Sequence, residues 1–231
     1  MKTVAVMCAM DKEIARIISD FHAVCISEKE KIYEATIGNF RVIATVCGIG
    51  KVNSAMNTMK IIERYSPEIV INCGVAGGLD KSLSVLDVVI AKEAQYHDFS
   101  PLSLLEEDEN IGTSLFKCDK ELVSVAERVC RALKDSGEIN GYKVGKVVSG
   151  DCFVESDELS HHLRDDLNAS CVEMEGASIA QVCIANRVRF LIIRAISDFA
   201  NNNAEMTYDT FSEIAAKQAV SVLSGIISEI K

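Results

Sequence analysis

The chain predicts a single α/β domain, and three observations carry that expectation. Short apolar, β-branched runs alternate with segments of helical periodicity, the pattern of strands joined by crossover helices. Two of the runs, at residues 31–37 and 40–47, lie close enough to form a hairpin. Across 231 residues there is no internal repeat, low-complexity segment or linker. That length supports one sizeable core, so residues 1–231 are read as one domain.

In chain order, Thr-Val-Ala-Val-Met-Cys at 3–8 reads as the first strand and 12–20 as the helix after it. The hairpin pair follows, then a helix at 52–65 and an apolar strand at 69–73. Further strands are expected at 87–91, 146–148 and 189–196, and further helices at 120–136, 159–167, 175–186 and 208–231. In the last helix Phe211, Ile214, Ala215, Gln218, Val222 and Ile226 lie near one face at the helical period. Residues 99–114 break the pattern: Glu106, Glu107, Asp108 and Glu109 stand in a row and read as an exposed surface loop.

Composition removes several function classes. A formal net charge of −10 argues against a nucleic-acid binder, whose phosphate contacts need clustered Lys and Arg. Nine cysteines with no Cys-x-x-Cys pair, several inside apolar runs, argue against a disulfide framework or a zinc site and for a reducing cytoplasm. His22, His97, His161 and His162 have no zinc-like partner at helical spacing, so neither a metal nor a cofactor is expected. The N-terminal apolar run is too short for a secretion signal, and no run is long enough to span a membrane.

In open α/β sheets, ligands bind beyond the C-terminal ends of the strands. Five such junctions offer glycines, acids or an aromatic: residues 9–13, 48–51, 74–78, 149–154 and 197–198. The spacing of Gly48-Ile49-Gly50-Lys51 fits neither a dinucleotide fingerprint nor a phosphate loop, and reads as a tight turn close to a ligand. The glycines between 74 and 78 suit either an anion nest or close packing. Phe153 suits either stacking on a base or the core, and Met174 suits packing. Glu13 alone would suit the first turn of a helix, where the dipole favours an acid. His97-Asp98 has the composition of a catalytic dyad but lacks a matching nucleophile, and reads as a structural hydrogen bond.

The strongest signal is Glu173-Met174-Glu175 at a strand-to-helix junction, joined by Asp198 at the close of an apolar strand. Carboxylates in such places are costly unless partnered. An ionised Glu175 accepts two O–H bonds, which a sugar diol provides. Asp198 donates a proton if its surroundings raise its pKa. The residues alone therefore describe a sugar-holding, proton-donating pocket, the general arrangement of glycoside hydrolysis.

Seven motifs carry a resemblance. They are Ala9-Met10-x-x-Glu13, Gly48-Ile49-Gly50-Lys51-Val52, residues 71–79 (Ile-Asn-Cys-Gly-Val-Ala-Gly-Gly-Leu), Tyr96-His97-Asp98, Val148-Ser149-Gly150-Asp151-x-Phe153, Val172-Glu173-Met174-Glu175 and Arg194-Ala195-Ile196-Ser197-Asp198. In this order, over nearly the whole chain, they resemble the 5′-methylthioadenosine/S-adenosylhomocysteine nucleosidases of the nucleoside phosphorylase superfamily. The resemblance implies a central twisted, mixed β-sheet flanked by helices, a homodimer, and hydrolysis of the N-glycosidic bond of a 5′-substituted adenosine to adenine and a thioribose.

The resemblance also implies roles. Glu13 matches the residue that activates water, Glu175 the one that holds the ribose hydroxyls, and Asp198 the acid that protonates adenine N7, supported by Ser197. Phe153 matches the ring stacked on the base, and the Val154 backbone matches the group reading the adenine edge. Glu173 and Met174 match the ribose-binding segment, with Ala9, Ile49, Val75, Arg194 and Tyr208 around the substrate. The partner implied is a small nucleoside, with no nucleic acid and no membrane.

Three departures bear on the 5′ substituent. Val75 stands where the family carries Ser, Tyr208 where Phe is usual, and residues 99–114 lack the family's aromatic-rich loop, which contacts that substituent in a neighbouring subunit. Two other readings remain at this level: phosphorolysis, with Gly74–Gly78 and Arg194 holding phosphate, and a non-catalytic nucleoside-binding protein on the same fold.

Overall fold

The computed structural model describes residues 1–230; Lys231, the last residue of the expected final helix, lies outside them. Among the described residues the order is β1 (Lys2–Cys8), α1 (Asp11–Asp20), β2 (Val24–Ser27), β3 (Ile32–Ile37), β4 (Phe40–Val46), α2 (Lys51–Tyr65), β5 (Ile69–Gly78), β6 (Val88–Tyr96), α3 (Ser103–Glu106), β7 (Phe116–Lys117), α4 (Lys120–Asp135), β8 (Tyr142–Ser149), α5 (Asp157–Asp165), β9 (Cys171–Glu173), α6 (Gly176–Ala185), β10 (Arg189–Asp198) and α7 (Ala204–Glu229).

These strands join one mixed sheet flanked by the helices, as expected. Its central part closes on itself. Strand β10 runs parallel to β5 and antiparallel to β6, β6 is parallel to β8, β8 is parallel to β9, and β9 returns antiparallel to β5. From β5 a wing continues through β1, β4, β3 and β2. The expected hairpin is β3–β4, turned by Gly38 and Asn39 between the paired Ile37 and Phe40, with Gly38 at φ 55°. Strands covered on both faces carry unbroken apolar runs: Val4 to Cys8 of β1 and Leu191 to Ile193 of β10 are fully buried.

The helices obey the same logic. In α4, Leu122, Val125, Ala126, Val129 and Cys130 are buried at 3–4 spacing, and the Asp119 carboxylate caps the start by accepting from the Glu121 and Leu122 N–H groups. Helix α7 is rotated from expectation. Ala215, Val222 and Ile226 are buried, but Ile214 is exposed and Phe211 and Gln218 are only half-buried. Ala216, Ala219 and Val220 take the inner face instead, because α7 packs closely on β5, β10 and α4 and small residues permit that approach.

The short strands β2, β7 and β9 were not legible as separate apolar runs, and the segment expected as a loop at 99–114 contains the single turn α3. Its acids at 106–109 are exposed, as expected. Strand β5 reaches Gly78 rather than ending at Cys73, since β9 and β10 supply pairing partners to Gly77 and β9 one to Gly78.

Candidate active site

The C-terminal ends of β1, β4, β5, β8, β9 and β10 meet at one cavity of about 280 Å³. Glu13 enters it from the first turn of α1. Glu173 and Glu175 enter from the end of β9 and the N-cap of α6, and Ser197 and Asp198 from the end of β10. Ala9, Ile49, Val75, Phe153, Met174 and Tyr208 complete the wall. Val154 lines a small adjoining recess of about 30 Å³, shared with Phe153, Met174 and Asp198. Met10, Ala76, Gly77 and Val172 also face the cavity and had been given no substrate contact from the sequence; all four lie within two residues of one that had.

Glu13 is buried by the fold's own backbone. Its Oε2 accepts from the Ala9 N–H at 2.7 Å and the Met10 N–H at 3.1 Å, and its Oε1 accepts from the Val75 N–H at 3.0 Å. Burial raises its pKa, against the opposing pull of Arg194 and these three N–H groups. Each carboxylate oxygen can accept two bonds, so Oε1 keeps an acceptor direction free. The glycine at 74 makes the contact possible: a Cβ there would collide with both the Glu13 carboxylate and the Arg194 guanidinium.

Glu175 accepts one backbone bond, from the Gly50 N–H at 2.9 Å, and its Oε2 lies 3.7 Å from Arg194 Nη2. Burial, then the neighbouring Glu173 carboxylate, push its pKa up to about 8, with Arg194 and the Gly50 N–H pulling the other way. Asp198 is held at both oxygens, by the Ala200 N–H on Oδ1 and the Ser197 hydroxyl on Oδ2, each at 2.8 Å. Burial raises its pKa despite these two bonds.

Beneath the wall lies a polar floor. Arg194 donates through Nη2 to Glu173 and Asn72. Glu173 also accepts from the Ser149 hydroxyl and from the Gly176 N–H at 2.8 Å, and Ala177 N–H closes on Ser149 Oγ at 2.8 Å. Arg194, expected among the substrate contacts, is thus fully buried behind Glu173 and Glu175 and does not line the cavity. Its charge is consumed by the acids, which raise its pKa. Asn72 and Ser149 belong to this floor unannounced; Asn72, one polar residue in an apolar strand, was the readable signal.

Two other expectations resolve. Residues 74–78 form no anion nest: they are extended strand, and their glycines serve close packing. His97 and Asp98 form no dyad. Asp98 accepts from Lys51 Nζ at 2.6 Å, while the buried His97 Nε2 has no hydrogen-bond partner. At the mouth Phe153 is 45% exposed and meets the Tyr208 ring edge-on at 5.7 Å. No group of His, Cys, Asp and Glu among the described residues is arranged to hold a metal ion.

A closed strand ring with acids gathered at its C-terminal end defines a class, and the sequence model described as the Phosphorylase superfamily matches residues 3–228. A 5′-methylthioadenosine/S-adenosylhomocysteine nucleosidase of Staphylococcus carnosus is 36% identical over 98% of this chain and all of that protein. A crystal structure of the Neisseria meningitidis nucleosidase of that name, in complex with methylthio-immucillin-A, superposes with a TM-score of 0.90 at 34% identity, covering 100% of both chains. The futalosine hydrolase of Helicobacter pylori superposes with a TM-score of 0.87 at 29% identity, covering 99% of this chain and 98% of that one. The chain belongs to this superfamily and, within it, to the family of 5′-methylthioadenosine/S-adenosylhomocysteine nucleosidases.

Proposed function

We propose that this chain hydrolyses the N-glycosidic bond of 5′-methylthioadenosine, S-adenosylhomocysteine or a related 5′-substituted adenosine, releasing adenine and the thioribose. One observation carries the reading: three carboxylates from separate strand ends face one cavity, and burial makes each easier to protonate than a free acid. Their partners divide the work. Asp198, the acid beside Phe153 and the Val154 recess, protonates adenine N7 as the C1′–N9 bond breaks, so the base leaves neutral. Ser197 steadies the carboxylate left behind. Glu175 holds the ribose hydroxyls while positive charge builds at C1′. Glu13 takes the proton of the water that adds to C1′ through the free direction on Oε1. Phe153 stacks on the base, Val154 reads its edge through the backbone, and Met174, Ala9, Ile49, Val75 and Tyr208 pack around the sugar and its 5′ group. Glu173 and Arg194 orient Glu175 from behind.

Phosphorolysis is the weaker reading, because the position an anion would take is occupied by Glu13 and the one nearby guanidinium is already paired. The test is adenine release followed by absorbance, with and without phosphate. Glu13→Gln is expected to lower kcat by about 10²–10⁴ while nucleoside binding stays within a few fold. A strict phosphate requirement, or full activity in Glu13→Gln, would sink hydrolysis by this route. Nucleoside binding with no adenine release over long incubation would favour the non-catalytic reading.

Other features support a cytoplasmic homodimer, and release of a thioribose suits a place in methionine salvage. All nine cysteines are free, seven of them buried. No helix among the described residues is long and apolar enough to cross a membrane. Ile49, Val52 and Met56 leave an exposed apolar row where α2 leaves the cavity, a surface suited to a second copy. A monomer by light scattering at micromolar concentration would count against the dimer.

A further inference from the structure

The Gly50 N–H is the backbone donor on Glu175, yet the helix it opens has no cap of its own: α2 starts at Gly50 with no side-chain cap bond. One distant acid does that work instead, held in turn by a second. Asp151, beyond the end of β8, accepts from the Lys51 N–H at 2.8 Å, and its own N–H donates to Asp98 Oδ2 at 2.9 Å. Asp98, beyond the end of β6, also accepts from Lys51 Nζ at 2.6 Å, with the two side chains only 23% and 28% exposed. Gly50 itself has φ 87°, and a Cβ at that position would come within 2.9 Å of Asp151 Oδ1. The three residues thus tie two strand ends to the first turn of α2, on the side of Gly50 away from Glu175.

We propose that Lys51, Asp98 and Asp151 form a positioning relay that aims the Gly50 N–H at Glu175 and so fixes the carboxylate that grips the ribose hydroxyls. The proposal rests on the role given to Glu175 above. None of the three touches the substrate; they act through one hydrogen bond. Without it the Glu175 carboxylate keeps only the more distant Arg194 as a partner, and its oxygens are free to turn away from the sugar.

The test uses 7-deazaadenosine, which lacks the N7 that the reaction protonates and is not turned over, beside its 2′,3′-dideoxy counterpart. Calorimetry is run on wild type, Lys51→Met and Asp98→Asn; the last keeps the shape of the side chain and guards against a variant that does not fold. Both variants are expected to bind the ribonucleoside about fivefold more weakly, the worth of one hydrogen bond, with dideoxynucleoside affinity unchanged. Lys143→Met, which breaks the Lys143–Asp80 pair away from the site, is expected to change neither. Equal weakening toward both ligands, or none, overturns the relay. A wild-type protein that binds both ligands equally overturns the ribose role of Glu175 and the relay with it, and the wild-type arm alone reveals that failure.

Discussion

At the floor of the cavity Arg194 is enclosed with Glu173 and Asn72 and donates to both, whereas at its mouth Ile49 and Phe153 stand about half exposed. The floor is charged and buried; the mouth is apolar and exposed. A buried ion pair is not a cheap way to stabilise a fold, since desolvation offsets most of the attraction. On the roles proposed above, its presence is positioning: it holds Glu173 and Glu175 in place before substrate arrives, so no reorganisation is needed during reaction. The mouth carries no such constraint. Bond cleavage and selection of the 5′ group are therefore separable, and variants in the two regions are expected to fail differently.

The largest effect is expected at the floor. Arg194→Met keeps the length of the side chain but removes the cation shared by Glu173 and Glu175. Leaving buried acids without their partner typically costs about 3–5 kcal/mol, so urea unfolding is expected to show a loss of that size. A loss under about 1 kcal/mol, the worth of a surface pair, would mean the floor is not the rigid base described here.

A smaller and graded effect comes from pH. Burial and the neighbouring Glu173 carboxylate push the pKa of Glu175 up to about 8, against an ordinary value of 4.5, and burial shifts Glu13 and Asp198 in the same direction. For an acid raised in the folded state, the native protein binds more protons than the unfolded chain between those two values. The stability is complete below 4.5 and is lost as pH rises through about 8. Thermal midpoints are expected to fall across that window and to fall less steeply in Glu175→Gln. A midpoint that rises from pH 5 to 8 would contradict the assignment.

The two regions also differed in how well the sequence revealed them. The acids were readable because Glu173 and Asp198 close apolar strands and Glu175 opens the helix after one, places where a carboxylate needs partners. What stayed hidden was which partner each takes. Arg194 was set among the substrate contacts by the resemblance, yet its guanidinium turns to Glu173 and Asn72 and is enclosed behind Glu173 and Glu175. The fold was legible where periodicity is strong, as in β1, β4 and α4. It was not legible in β9, whose three residues are strand only because β5 and β8 flank them. The glycines at 74–78 left two readings open: glycine marks a close approach as readily as a turn, and only the positions of Glu13 and Arg194 show which.

The smallest effect expected is the one that best tests the separation. Tyr208 lines the cavity with its ring edge-on to Phe153, its hydroxyl donating to Met10 Sδ at 3.4 Å and Lys12 Nζ 3.8 Å above its face. A thioether is a weak acceptor, so the hydroxyl contributes little to folding and remains available to a polar 5′ group. Tyr208→Phe keeps the ring, the stacking and the cation contact. Its kcat/KM for methylthioadenosine is expected to stay unchanged, while that for adenosylhomocysteine falls about two- to fivefold, the worth of a single neutral hydrogen bond. The ratio of the two substrates, measured on one enzyme preparation, is the sensitive quantity, because it cancels errors in active concentration. If both values fell by the same factor, the hydroxyl would be acting on the chemistry through Met10 and the first turn of α1, where Glu13 sits. The mouth and the floor would then be one device rather than two.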